Sequence, residues 1–331
     1  MANITIAAGK KINNQNYPIT GTFIQLDNET LHWDSTQWKN EFQAMKDVGM
    51  DILVIQFSGS NQSAYYPSKS LKYDKAISSI PVLLDQADKM GIQVYIGLLN
   101  IHGWWSAANH PDWFPKALAL QKQTVLELQD LYGKHTSFIG WYLPEEIDDL
   151  NWQTKAKQKL LIEYLSPIAS YCHEISGNKP VMTAPFTGWN PDTKMYMTPK
   201  AFENMWENIF THTQIDIVAL QDASTRAKYH KIILPPYFKA LQKACAKSGA
   251  KLWSDLEIFE QVHGWPIDKQ QHSAEPASLN RIKNQITLET PLVENIICFE
   301  FNHYMSPYRG EKQKKLYEEY LKWVKNYGKK K

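Results

Sequence analysis

Long hydrophobic runs, a charge excess, paired cysteines and a glycine-rich phosphate loop are all missing from this chain, and each absence removes a class of function. No stretch of the 331 residues approaches the ~20 apolar residues that span a bilayer. The first residues, MANITIAAGKK, lack the apolar run of a signal peptide. That leaves either a cytoplasmic protein or one whose leader has been removed. A net charge of +2 gives no electrostatic reason to bind nucleic acid or an anionic membrane. Cys172, Cys245 and Cys298 are odd in number and scattered, so neither a disulfide framework nor a thiolate metal site is expected. His102 and His110 near Asp112 fit no metal-ligand spacing, and no metal or organic cofactor is called for. GxSxG, P-loop and HExxH motifs are absent as well.

What the chain does have is rhythm. Gly49, Gly91, Gly133, Gly177 and Gly249 each close a helix-like stretch just ahead of a short apolar run, at a spacing of about 40 residues or a multiple of it. A glycine past a helix end supplies the left-handed conformation that ends the last turn without a Cβ clash. Strand plus helix at that period means parallel strands joined by crossovers. Eight strands are predicted at 19–25, 51–57, 93–99, 138–146, 181–186, 215–222, 251–260 and 294–303. Helices follow near 35–48, 75–90, 112–132, 152–175, 199–212, 234–248, 278–288 and 311–327. Asp34 and Asp74 sit where N-caps belong, and Pro199 and Pro235 where first-turn prolines belong.

Helix-to-strand links are brief, whereas the strand-to-helix segments 58–74, 100–111, 187–198, 223–233 and 261–277 are long. Elaboration at one end only is the mark of a (β/α)8 TIM barrel, an α/β fold whose sites lie at the C-terminal ends of its strands. A doubly wound sheet would carry a glycine-rich loop after its first strand, where this chain reads LDNETLHWDS. The expectation is one barrel domain over 1–331, its core at 19–327, and a monomer.

Side-chain alternation then sorts the strand residues. In the fourth strand Ile139, Trp141 and Leu143 should face helices, and Gly140, Tyr142, Pro144 and Glu146 the barrel axis. Glu146, with Glu145 as the alternative, therefore stands at the mouth. In the seventh strand Trp253, Asp255, Glu257 and Phe259 face inward. Buried carboxylates are costly without partners, and two of them on opposed strands suit glycoside hydrolysis, one as proton donor and one as nucleophile or base. Candidates to bind sugar hydroxyls are Gln25, Gln56, Asn100, His102, Gln221, Asp222, Asp255, Glu300 and Asn302. Tyr142, Trp104, Trp105, Trp189 and Trp265 offer flat apolar faces for sugar C–H surfaces. A glycan-binding barrel without catalysis is the competing class. A lyase or isomerase would need a lysine or metal at the mouth, and no lysine lies in the upper half of any strand.

Five segments carry a resemblance: ITGTFIQL at 19–26, the Trp38…Met45-Lys46-Asp47-Val48-Gly49-Met50-Asp51 run into ILVIQF, GWYLPEEID at 140–148, DIVALQD at 216–222 and WSDLEIFE at 253–260. With them the chain resembles the bacterial DUF4434-type proteins, TIM barrels grouped with the glycosidase superfamily. The resemblance implies Glu146 as acid/base and Glu257 as nucleophile, hence a retaining reaction. The expected substrate is an oligo- or polysaccharide such as a bacterial surface polysaccharide, cut within the chain because several long aromatic loops suggest a groove with more than one subsite. Related barrels place Asn directly before the acid/base; here that position is Glu145.

Overall fold

A computed structural model describes residues 17–77, 79–188, 196–222, 230–264 and 268–327. Eight parallel strands close a barrel: β1 (Gly21–Ile24), β2 (Ile52–Ile55), β3 (Gln93–Gly97), β4 (Phe138–Leu143), β5 (Val181–Thr183), β6 (Ile217–Gln221), β7 (Lys251–Glu257) and β8 (Asn295–Phe299). Each strand neighbours the next in sequence, and β8 returns to pair with β1. Helices α1 (Ser35–Asp47), α2 (Ser79–Met90), α3 (Trp113–Tyr132), α4 (Lys155–Ser176), α5 (Pro199–His212), α6 (His230–Ser248), α7 (Leu279–Glu289) and α8 (Glu311–Val324) follow the strands in turn. This is the expected TIM barrel. Among the described residues no helix is long and apolar enough to cross a membrane.

The core has two layers, as alternation demands. Phe23, Ile52, Val54, Tyr95, Tyr142, Met182, Ile217, Ala219, Trp253 and Ile297 fill the barrel interior. Trp141, Leu143, Val218, Leu220, Leu252, Leu256 and Cys298 pack outward against the helices. Ile139 breaks the expected parity by packing against the interior set. The register between β3 and β4 slips there, with Val94 opposite Phe138 but Tyr95 opposite Gly140. One extra residue in a strand reverses the facing of everything before it.

Helix ends carry the fold's punctuation. Asp34 caps α1 through the Thr36 and Gln37 N–H groups, and Gln37 returns the bond to the Asp34 backbone. At the far end Gly49 lies at φ +90°, and the Met50 N–H reaches back to the Met45 carbonyl. Gly133 differs from that pattern. It stays right-handed at φ −58°, bonded to the Gln129 carbonyl, because the chain keeps turning through His135 before β4. Asp74 caps a turn at Ala76 instead of α2, which begins later. Pro235 lies inside α6 rather than in its first turn.

Two loop structures shape the mouth. Short strands Gly59–Ser60, Ser63–Ala64, Lys72–Tyr73 and Leu99–Asn100 form a small sheet above β2 and β3. Beyond β7 the chain does not continue the barrel as predicted but makes a hairpin, Phe259–His263 against Ser273–Pro276. Beyond β8 it turns into a short helix, Phe301–Tyr304.

Candidate active site

Pro144 ends the β4 ladder and the two glutamates after it part ways. Glu145 turns to the helices, where its carboxylate accepts from the Tyr164 hydroxyl at 2.5 Å and from Gln121 Nε2 at 3.0 Å. Glu146 turns into the mouth. Its Oε1 accepts from Gln221 Nε2 at 3.4 Å, and its backbone carbonyl accepts from Trp104 Nε1 at 2.9 Å. Burial pushes its pKa up to about 7; the Gln221 bond opposes that rise and the Asp148 charge adds to it.

Glu257 closes β7. Its N–H donates to Asp222 Oδ1 at 3.1 Å, and its carbonyl accepts from Gln285 Nε2 at 3.1 Å and Arg281 Nη2 at 3.4 Å. With the backbone gripped from two sides, the side chain, buried to 8% exposure, lines a cavity of about 140 Å³. Glu146 lines the same cavity, with Gln56, Gln221, Asp255, Phe23, Tyr142, Phe259 and Phe299. Asp255, one inward position below Glu257, is 2% exposed. Burial first, then the charges of Glu257, Asp222 and Glu146, raise its pKa well above the carboxylate range.

A larger cleft of about 300 Å³ opens beside the cavity and shares Gln56 and Glu146 with it. Gln25, Asn100, His102, Trp104, Trp105 and Trp113 line it. The two indoles after Gly103 divide the work. Trp104 is buried against Trp152, ring centroids 5.2 Å apart, whereas Trp105 is 57% exposed and leans on Phe186 at 6.0 Å.

Three expected hydroxyl binders are corrected. Asp222 is fully buried and accepts from Gln285 of α7 at 2.5 Å, so it ties β6 and α7 to the Glu257 backbone. Glu300 is also fully buried; its Oε2 accepts from the Gln25 N–H at 2.6 Å, and its Oε1 meets His303 Nδ1. Asn302, in the short helix, donates to Glu41 of α1 at 2.7 Å and accepts from Arg309 Nε at 2.9 Å. The common cause is position. Each stands one or more residues past its last inward neighbour, where the chain has turned toward the helices. Tyr142 is interior floor, in edge contact with Phe23 at 5.0 Å. Trp189 and Trp265 lie outside the described residues. Sequence reasoning missed Phe23, Phe299 and Trp113 as lining residues. Alternation from Ile297 would have found Phe299; nothing in the pattern singled out Trp113.

The model described as a domain of unknown function, DUF4434, matches residues 19–311. The chain belongs to the DUF4434 family. Among solved structures this DUF4434 barrel is similar to a Bacteroides thetaiotaomicron protein provisionally named an alpha-L-fucosidase. That pair has a TM-score of 0.75 and 24% identity, covering 93% of this chain and 95% of that one. It is also similar to the beta-galactosidase of Marinomonas ef1, with a TM-score of 0.62 and 10% identity over 93% of this chain and 59% of that one. Both are glycosidases by name, and at such identities the likeness establishes the fold. The uncharacterized protein YbcH of Escherichia coli K12 is 24% identical over 199 residues, which is 58% of this chain. The match spans 62% of YbcH, less than two thirds of its length.

Proposed function

We propose that this protein is a retaining glycoside hydrolase of oligo- or polysaccharides, with Glu146 as acid/base and Glu257 as nucleophile. The observation that carries the reading is the shared cavity of about 140 Å³, lined by Glu146 from the end of β4 and Glu257 from the end of β7. The names of the structural neighbours point the same way. A pKa near 7 keeps Glu146 substantially protonated at neutral pH, which the first step requires.

In that step Glu146 gives its proton to the glycosidic oxygen while a Glu257 carboxylate oxygen attacks the anomeric carbon, so the C–O bond to the leaving sugar breaks as the glycosyl ester forms. In the second step the Glu146 carboxylate takes a proton from water, the hydroxide displaces Glu257, and the anomeric configuration is restored. The leaving group belongs in the cleft that Glu146 shares with the cavity, where the exposed Trp105 face would cover its C–H surface. A panel of 4-nitrophenyl glycosides and bacterial surface polysaccharides, with proton NMR of the first-formed anomer, tests this. Glu146→Gln and Glu257→Gln should each lower turnover by orders of magnitude with the fold intact. Normal turnover in both variants, or no hydrolysis anywhere in the panel, rejects the reading.

A further inference from the structure

Two residues of the cavity wall each carry a buried oxygen without a partner. Gln56 is 6% exposed and Asp255 2% exposed, and both line the space beneath the two glutamates. Gln56 Oε1 and Asp255 Oδ1 find no hydrogen-bond partner among the described residues. Such atoms are costly in a fold unless something else meets them. Other side chains at this level are engaged: Gln221 donates to both Glu146 and the Ala184 carbonyl. Below them the barrel is plugged. Phe23 meets Tyr142 edge-on, and Tyr95 meets Trp253 at 6.1 Å, inside an apolar cluster that runs down the axis. A group that reaches Asp255 therefore ends there.

We propose that Asp255 and Gln56 form a closed floor that grips a free hydroxyl of the sugar whose glycosidic bond is cut. The inference rests on reading the cavity as the sugar site and adds a specificity to it. The ring position that meets the floor must carry an unsubstituted hydroxyl. A branch, methyl ether or acetyl ester at that position has no room above the aromatic plug. Gln56 Oε1 can only accept, so the sugar hydroxyl donates its one hydrogen bond to it. Asp255, neutral because of its burial and its acidic neighbours, donates in turn to the hydroxyl oxygen.

The test has two arms. The first needs no substrate: thermal unfolding of Asp255→Ala and Gln56→Ala at pH 7. Removing a polar side chain that lines the cavity wall and has an unpartnered buried oxygen should leave the melting temperature equal to or above that of the wild type. A fall of several degrees in both variants would mean that the two oxygens hold the fold together, and it overturns the proposal.

The second arm uses the 4-nitrophenyl glycoside that the wild type cleaves best, together with its monodeoxy analogues. Each alanine variant should lose at least about a hundredfold in kcat/KM, while Asp255→Asn, neutral and still able to donate, stays within about tenfold. One analogue should fall by roughly 10⁴-fold in the wild type but by little further in Asp255→Ala, because the lost hydroxyl and the lost carboxyl are the same contact. If every analogue loses the same factor in both proteins, the floor grips nothing. If Asp255→Asn is as inactive as Asp255→Ala, Asp255 acts through its charge and the proposal also fails. Absence of cleavage across the whole panel would instead sink the hydrolase reading, while the unfolding arm still judges the floor.

Discussion

Glu146 should weaken the fold that carries it, and the cost should depend on pH in a specified direction. Its carboxyl is raised from the usual 4.5 to about 7 in the folded chain, mainly by burial. Below pH 4.5 the folded and unfolded chains both hold the proton, and the group is neutral in the balance. Between 4.5 and 7 the unfolded chain ionises while the folded one does not, so stability falls as pH rises; above 7 the loss is complete. A rise of that size corresponds to roughly 3 kcal/mol. Part of the side chain reaches the cleft, so solvent screening brings the expected cost to about 1–2 kcal/mol. Glu146→Gln keeps an oxygen for Gln221 and has nothing to ionise. We predict that it melts about 2 °C above the wild type at pH 8, in a chain of this length, and that the gap closes at pH 4.5. Asp149, raised to about 6, does not feel the Glu146 charge and cancels in the comparison, whereas Asp255 is relieved of that charge in the variant, which widens the gap in the same direction. Paired calorimetric scans across pH 4.5–8 measure the gap. A pH-independent gap, or a variant less stable at pH 8, refutes the reasoning.

Two further predictions follow from the neighbours of the cavity. The Gln221 bond favours ionised Glu146, so Gln221→Met should raise the Glu146 pKa and move the basic limb of the kcat/KM–pH profile upward by about half a unit, the bond being long; a downward shift contradicts the assignment. A Cβ at Gly97 would fall 2.3 Å from the Ile55 and Gln56 carbonyl oxygens. Gly97→Ala should therefore force β2 and β3 apart just below Gln56 and cost about 2–3 kcal/mol in denaturant unfolding.

How far the sequence could be read depends on where each residue stands relative to the last rung of its strand. Where the ladder keeps its register, alternation is enforced by hydrogen bonds, and Trp141, Leu143 and Trp253 face as alternation predicts; Ile139, at the slip between β3 and β4, does not. The glycine spacing located the helices for the same reason, since Gly49, Gly91, Gly177 and Gly249 all hold the left-handed conformation. Gly133 shows the limit: a glycine near a helix end need not be its stop.

Past the last rung the rule has no enforcing bond. Gln221 ends β6 facing inward, and Asp222, the next residue, faces α7. Glu300 follows Phe299, which holds the inward position, and so it turns away. These displaced acids are not idle. Asp222 holds the Glu257 N–H, Glu145 stands between Tyr164 and Gln121, and Glu300 holds the Gln25 N–H at the cleft rim. Carboxylates late in apolar strands thus come in two kinds that composition cannot separate: those that line the cavity and those that tie down the groups around it. The segment after β4 carries one of each in adjacent positions. A Glu145→Gln variant should therefore disturb the fold through Tyr164, whereas Glu146→Gln should leave Tyr164 and Gln121 in place and act on the cavity alone.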